Sequence, residues 1–289
     1  MMHAQDIDFV IIGAAKCATT WLQKSLQSDP AVSMPNPELH YFSRNYEMGD
    51  RWYLEQFPDR ESVEIVGEKS NSYLDTPAAP MRLYQLLPHA KLVVQLRNPV
   101  ERAYSDYCML YRRGDVDGDI EAHLDPRRGP GRRPLVGGLY HRQLQAYLDL
   151  FPKERLLVLF YEDMLAAPTE QIGRLREFLG LPVTSPALTL PQKVKDRTEP
   201  MMPPHLRKWV RPLKPLMRSL RGTRLFNAAR GAVVREIAYP PMTQTMRQRL
   251  AGFYEEDVTD LGNFVQRDLS QWLSPEQAYT HLKLNRRAN

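Results

Sequence analysis

The chain has 289 residues, 43% of them hydrophobic and 25% charged, with a formal net charge of +5 at pH 7. That length can bury a substantial core, the composition gives no sign of disorder, and two cysteines exclude a disulfide scaffold. No apolar run approaches the ~20 residues of a membrane span, and the opening MMHAQDIDFVIIG has no basic stretch ahead of an apolar one. Cys17 and Cys108 are the only cysteines, too few for a cysteine-based zinc site. A cytoplasmic protein is expected.

In chain order, Asp8 to Gly13 is an apolar run closed by glycine, which predicts a buried strand. Trp21, Leu22, Ser25 and Leu26 recur at helical spacing in a helix predicted over Thr19–Gln27. Between the two lies Gly13-Ala14-Ala15-Lys16-Cys17-Ala18-Thr19-Thr20, with Trp21 just beyond. Small residues let the backbone close around phosphate oxygens, and free N–H groups at a helix start aim at them. Lys16 adds positive charge, and Thr19 and Thr20 add hydroxyl donors. The loop is not a Walker A motif, because Ala18 and Thr19 stand where that motif needs Gly and Lys.

Further strands are predicted at Val63–Gly67, Lys91–Leu96 and Arg155–Tyr161. Helices are predicted at Pro77–Leu87, at Val100–Tyr111 behind Pro99, at Leu139–Leu150 and at Thr169–Leu179. The Gly-, Pro- and Arg-rich residues 112–138 read as a variable insertion or lid. Alternating strands and helices predict an α/β fold: a P-loop-like parallel sheet flanked by helices, with a helical C-terminal extension over 199–289 and a single domain spanning 1–289. Ligands of such sheets bind beyond the carboxyl ends of the strands. Arg97 ends the strand at Lys91–Leu96, and Ser105 lies about two turns into the next helix. An arginine fork with a hydroxyl suits a terminal phosphate dianion. Glu101 and Arg102 read as surface or local helix charges, and His141 as structural or acceptor-facing.

From Met201 to Arg235 there are nine Lys/Arg and no Asp or Glu. Such a segment points to an anionic partner. Its first reading is a solvated helical face over a nucleotide. The sharper reading is weak membrane-surface contact through 205–235, where Leu206, Trp209, Val210, Leu213, Leu216 and Met217 lie among the charges. Without a recognisable reading motif, no nucleic-acid partner is expected.

The two loops, IIGAAKCATTWL and LVVQLRNPVERAYSDY, together resemble the sulfotransferases that use 3′-phosphoadenosine 5′-phosphosulfate (PAPS). A third stretch, Val66-Gly67-Glu68-Lys69-Ser70-Asn71-Ser72-Tyr73-Leu74, resembles the Glu-Lys-Ser segment of the heparan sulfate N-sulfotransferases. The resemblance implies that the first loop, from Gly13 to Trp21, binds the donor at its 5′-phosphosulfate and that Arg97 and Ser105 bind the 3′-phosphate. It further implies Glu68 as general base, with Lys16 stabilising the leaving oxygen. The donor is already activated, so PAPS is the co-substrate, PAP (3′,5′-adenosine bisphosphate) the product, and no metal is expected. His40, in Pro37-Glu38-Leu39-His40-Tyr41-Phe42, is a competing base, and Ser70 a candidate 5′-phosphate contact.

The chain departs from the family at Ala18, where glycine is common, and at Pro37, where a lysine is common. It also lacks the basic run before Tyr239-Pro240, so Arg230 or Arg235 stands in as the remaining 3′-phosphate contact. The acceptor is expected to be a small-molecule, lipid or carrier-bound hydroxyl or amine. The competing functions are a small-molecule kinase of related fold and a catalytically inactive nucleotide- or membrane-binding protein. The sequence carries no signal for oligomeric state.

Overall fold

The structure is a computed structural model that describes residues 2–58, 63–183 and 237–274. Five parallel strands form one sheet in the order β2-β3-β1-β4-β5. They are β1 (Phe9–Gly13), β2 (Val32–Ser33), β3 (Ile65–Lys69), β4 (Lys91–Leu96) and β5 (Leu156–Phe160). The helices are α1 (Thr19–Gln27), α2 (Gly49–Leu54), α3 (Ala79–Leu86), α4 (Pro99–Arg113), α5 (Ile120–Leu124), α6 (Arg133–Val136), α7 (Tyr140–Leu148), α8 (Tyr161–Ala166), α9 (Pro168–Leu179) and α10 (Gln244–Val265).

Because side chains alternate across a strand, β1 feeds two separate apolar layers. Phe9 and Ile11 join Trp21, Leu22 and Leu26 of α1 and Ile172, Leu175 and Leu179 of α9. Val10 and Ile12 join Leu83 of α3, Ala103 and Tyr107 of α4, Leu144 of α7 and Tyr254 and Leu261 of α10. Helices therefore cover both faces, as a wholly parallel sheet requires. The C-terminal helix α10 is a core element, packed on α7 and α4, rather than an appendage.

Three expectations change. The strand predicted to end at Gly67 runs on to Lys69, because Val10 and Ile11 of β1 pair with Glu68 and Lys69. The insertion at 112–138 is partly ordered: α4 extends to Arg113, Asp119 caps α5, and Leu124 and Leu135 are fully buried. Arg102 is not a surface charge. It lies buried on α4 beside Asp106 at 3.7 Å and donates to the carbonyl of Pro134. Glu101 pairs with Arg247 of α10.

Gly67 stands opposite Phe9 in the register, and a Cβ there would lie 2.4 Å from the Phe9 ring. Gly67→Ala is expected to cost about 1–3 kcal/mol in urea unfolding, the usual scale of overpacking. The same substitution in a Phe9→Leu background should cost less. Equal costs in both backgrounds would exclude the ring clash as the cause.

Candidate active site

The carboxyl ends of β1, β3 and β4 meet on one edge of the sheet, and the sequence motifs fall there. Gly13 ends β1 where its register with β4 shifts. A Cβ at Gly13 would lie 2.9 Å from that of Leu74, so only glycine fits this approach to the segment after β3. The chain then turns through Lys16 (φ 72) and Ala18 (φ 62) into α1. Ala18 is the N-cap of α1 and provides no side-chain cap, so the N–H groups of the first turn face the loop without a side-chain partner from that position. Such a turn, opening a nine-residue helix next to a lysine, suits an anionic oxygen.

The loop residues sort by burial. Ala14, Ala15, Cys17 and Thr19 are buried, whereas Lys16, Ala18 and Thr20 are partly exposed. Trp21 is packed in the apolar layer with Leu22 and Leu26 and keeps 6% of its surface exposed. The Cys17 thiol also turns inward, 3.7 Å from the carbonyl of Ala15 and 3.7 Å from the Tyr140 hydroxyl. Burial pushes its pKa up to about 11 despite Arg102 nearby, so it is a neutral packing group.

At the end of β4, Arg97 is held by its backbone and its guanidinium. Its carbonyl accepts from the Tyr140 hydroxyl at 2.9 Å, and its guanidinium lies 4.6 Å from the centre of the Tyr161 ring. Asn98 caps α4 by accepting from Val100 and Glu101, and donates to the carbonyl of Trp272. Ser105 follows on α4, 7% exposed. Arg230 and Arg235, and the membrane-contact segment 205–235, lie outside the described residues.

Glu68 is buried more completely than its sequence context implied. It has no exposed surface, and hydroxyls occupy both of its oxygens. Tyr73 (2.6 Å) and Tyr53 (3.1 Å) donate to Oε1, and Ser70 (2.8 Å) donates to Oε2. Burial pushes its pKa up to about 7; the three hydroxyls partly offset this and the Glu38 charge adds to it. Ser70 is therefore a support for Glu68 and for the His40 backbone, whose N–H donates to Ser70 Oγ at 2.9 Å.

The neighbouring Lys69 defines a feature the motif reading did not single out. Its ammonium, 1% exposed, donates to Glu38 Oε1 at 2.6 Å. Asn71 donates to Glu38 from its backbone (3.0 Å) and its side chain (3.2 Å), and His40 Nε2 lies 3.7 Å from Glu38 Oε2. Burial raises the Glu38 pKa, but the Lys69 charge and these hydrogen bonds leave it below the ordinary carboxylate value. His40 is held below its ordinary value by burial, with Arg44 and Lys69 adding to this and Glu38 opposing it. Its Nδ1 meets Ser72 Oγ at 2.7 Å. The Glu38 side chain keeps 22% of its surface exposed, so it is the accessible carboxylate of this pair. His141, by contrast, packs against α10 beside Asp260 and Phe264, a structural place.

A lysine-bearing loop after β1, an arginine just past β4 and the Glu38–Lys69 pair at the end of β3 lie along one edge of the sheet. Residues 6–202 match the sulfotransferase domain model, and the chain belongs to that family. Human heparan sulfate glucosamine 3-O-sulfotransferase 6 is 34% identical over 177 residues, covering 60% of this chain and 52% of that protein. The bifunctional heparan sulfate N-deacetylase/N-sulfotransferase 1 of Caenorhabditis elegans is 28% identical over 285 residues, covering 92% of this chain and 31% of that protein. The chain thus spans about half of the first relative and about a third of the second. A sulfotransferase structure from Alicyclobacillus acidocaldarius superposes with a TM-score of 0.68 at 25% identity, covering 93% of this chain and 99% of that one.

The Glu68 environment has a measurable consequence. Its folded pKa near 7 exceeds the ordinary 4.5, so the folded chain holds a proton that the unfolded chain releases between those values. Stability from this group is present in acid and lost as pH rises through 7. Glu68→Gln is expected to gain on the parent protein between pH 5 and pH 8, by on the order of 2 kcal/mol in denaturant unfolding. A pH-independent difference would mean that Glu68 does not titrate in this window.

Proposed function

We propose that the protein transfers the sulfuryl group of PAPS to a hydroxyl or amine of its acceptor. The observation that carries this reading is the convergence of the loop at 13–20, Arg97 and the Glu38–Lys69 pair at the ends of three adjacent parallel strands. The loop fits the 5′ end of such a donor: it opens a helix that has no side-chain cap at Ala18 and carries Lys16. Arg97, with Ser105 following on α4, fits a second phosphate on the adjacent strand. PAPS carries an already activated sulfuryl group. The residues need only hold it, place positive charge near the leaving phosphate oxygen and accept the proton of the nucleophile. Lys16 and the N–H groups at the start of α1 supply that charge.

For the proton, Glu38 is the better-placed group. It is ionised, partly exposed and braced by Lys69 and Asn71, whereas Glu68 has both oxygens occupied and no surface. A second reading keeps Glu68 as the base, favoured by its pKa near 7, with Ser70 or a tyrosine hydroxyl as intermediary. His40, with Nε2 toward Glu38 and Nδ1 toward Ser72, orients the cluster in both readings. The named relatives act on heparan sulfate, which supports a sugar hydroxyl or amine among the acceptors, alongside small-molecule, lipid and carrier-bound ones.

Glu38→Gln should retain nucleotide affinity and lose turnover by about 10²–10⁴-fold in a radiolabelled sulfuryl-transfer assay. Glu68→Gln should lose far less. The opposite order would assign the proton to Glu68.

Arg97→Ala should weaken calorimetric binding of 3′,5′-adenosine bisphosphate far more than that of AMP, with a chelator present throughout. Equal losses would remove Arg97 from the 3′-phosphate. A preference of the parent protein for ATP, dependent on magnesium, would favour the kinase instead.

A further inference from the structure

Gln95 is a polar side chain with no exposed surface among Leu92, Val93, Val94 and Leu96 of β4. A buried amide is costly unless its donors and acceptor are used. Here its Nε2 donates to the carbonyl of Cys17 at 2.6 Å, and its Oε1 accepts from Gln171 Nε2 on α9 at 2.9 Å. Its own backbone carbonyl accepts from Ala14 N–H at 2.9 Å. One residue of β4 therefore grips the phosphate loop at two points, Ala14 and Cys17. Gln171, 2% exposed, fixes which end of the Gln95 amide faces the loop.

In a planar trans peptide the carbonyl and the following N–H point in opposite directions. Drawing the Cys17 carbonyl inward onto Gln95 thus turns the Ala18 N–H outward, toward the open end of α1. We propose that Gln95 is a positioning residue that aims the Ala18 N–H at the 5′-phosphate of the donor, with Gln171 as its brace. The proposal rests on the donor-binding reading above. It adds a residue that touches neither the nucleotide nor the acceptor.

The test is calorimetric binding of 3′,5′-adenosine bisphosphate, AMP and adenosine 3′-monophosphate to the full chain and to Gln95→Met, which keeps length and removes both hydrogen bonds. Affinity for the bisphosphate and for AMP should fall about tenfold, the scale of one lost hydrogen bond. Affinity for the 3′-monophosphate, and the ratio of bisphosphate to AMP affinity, should stay near the parent values. Gln171→Met should cause a smaller loss in the same direction, and it decides the question if Gln95→Met does not fold. Unchanged binding of the 5′-phosphates, or equal loss of all three ligands, would overturn the proposal. Failure of the parent protein to bind any of them would overturn the donor reading, and the proposal with it, in the parent measurement alone.

Discussion

Two adjacent ionisable residues, Glu68 and Lys69, are buried at the end of β3, and the architecture of the site follows from compensating them. An uncompensated interior charge is among the most costly features a fold can carry. Successive strand residues face opposite sides of the sheet, so each of the two needs its own partners. Glu68 receives three hydroxyls, from Tyr53, Ser70 and Tyr73. Lys69 receives Glu38 from a segment without regular secondary structure, which is thereby fixed against the sheet. The aromatic cluster of Tyr41, Phe42, Tyr53 and Tyr73 then fills the space beneath. Compensation on one side of the strand gives a buried, neutral-leaning carboxyl. On the other it gives an ionised, accessible one.

The loop after β1 obeys a different constraint, set by backbone shape. Ala18 occupies the left-handed region at φ 62, where an L-residue costs roughly 1–2 kcal/mol relative to a right-handed conformation and glycine is at ease. The surrounding grip explains how alanine is held there. Gln95 fixes the Cys17 carbonyl just before it, Ala18 itself caps α1, and Trp21 N–H donates back to the carbonyl of Ala18 at 2.8 Å. Tyr140 then joins this loop to the neighbouring one, with its hydroxyl 3.7 Å from the Cys17 sulfur and donating to the carbonyl of Arg97. The two loops are thus tied through the protein itself.

The sheet and both loops were legible because their signals are local. An apolar run closed by Gly13, a lysine-bearing turn and a proline-opened helix after Arg97 each announce themselves within a dozen residues. Glu38 was not legible. Its meaning depends on Lys69, 31 positions away, and the proline before it weakened the local pattern. Trp21 adjoins the loop in sequence, and helical geometry turns it into the apolar layer, which no local signal announces. The two-residue β2 is too short for any periodicity, and α5 and α6 are hidden by glycines and prolines whose neighbours Leu124 and Leu135 nonetheless anchor in the core.

The two carboxylates are also linked electrically, and this bears on how the site works near neutral pH. Burial raises the Glu68 pKa and the charge on Glu38 adds to it, so the negative charge is kept on the exposed member. The environments push the two pKa values apart, which is how a pair of identical groups comes to hold distinct acid–base roles. A proton arriving at Glu38 would relieve that repulsion and make Glu68 easier to ionise. His40 sits at this point, held near neutrality by burial and aimed at Glu38 through Nε2. If Glu38 is the proton acceptor proposed above, a proton taken up there would leave no isolated charge in the interior, because Lys69 and the hydroxyls around Glu68 already pair the remaining groups.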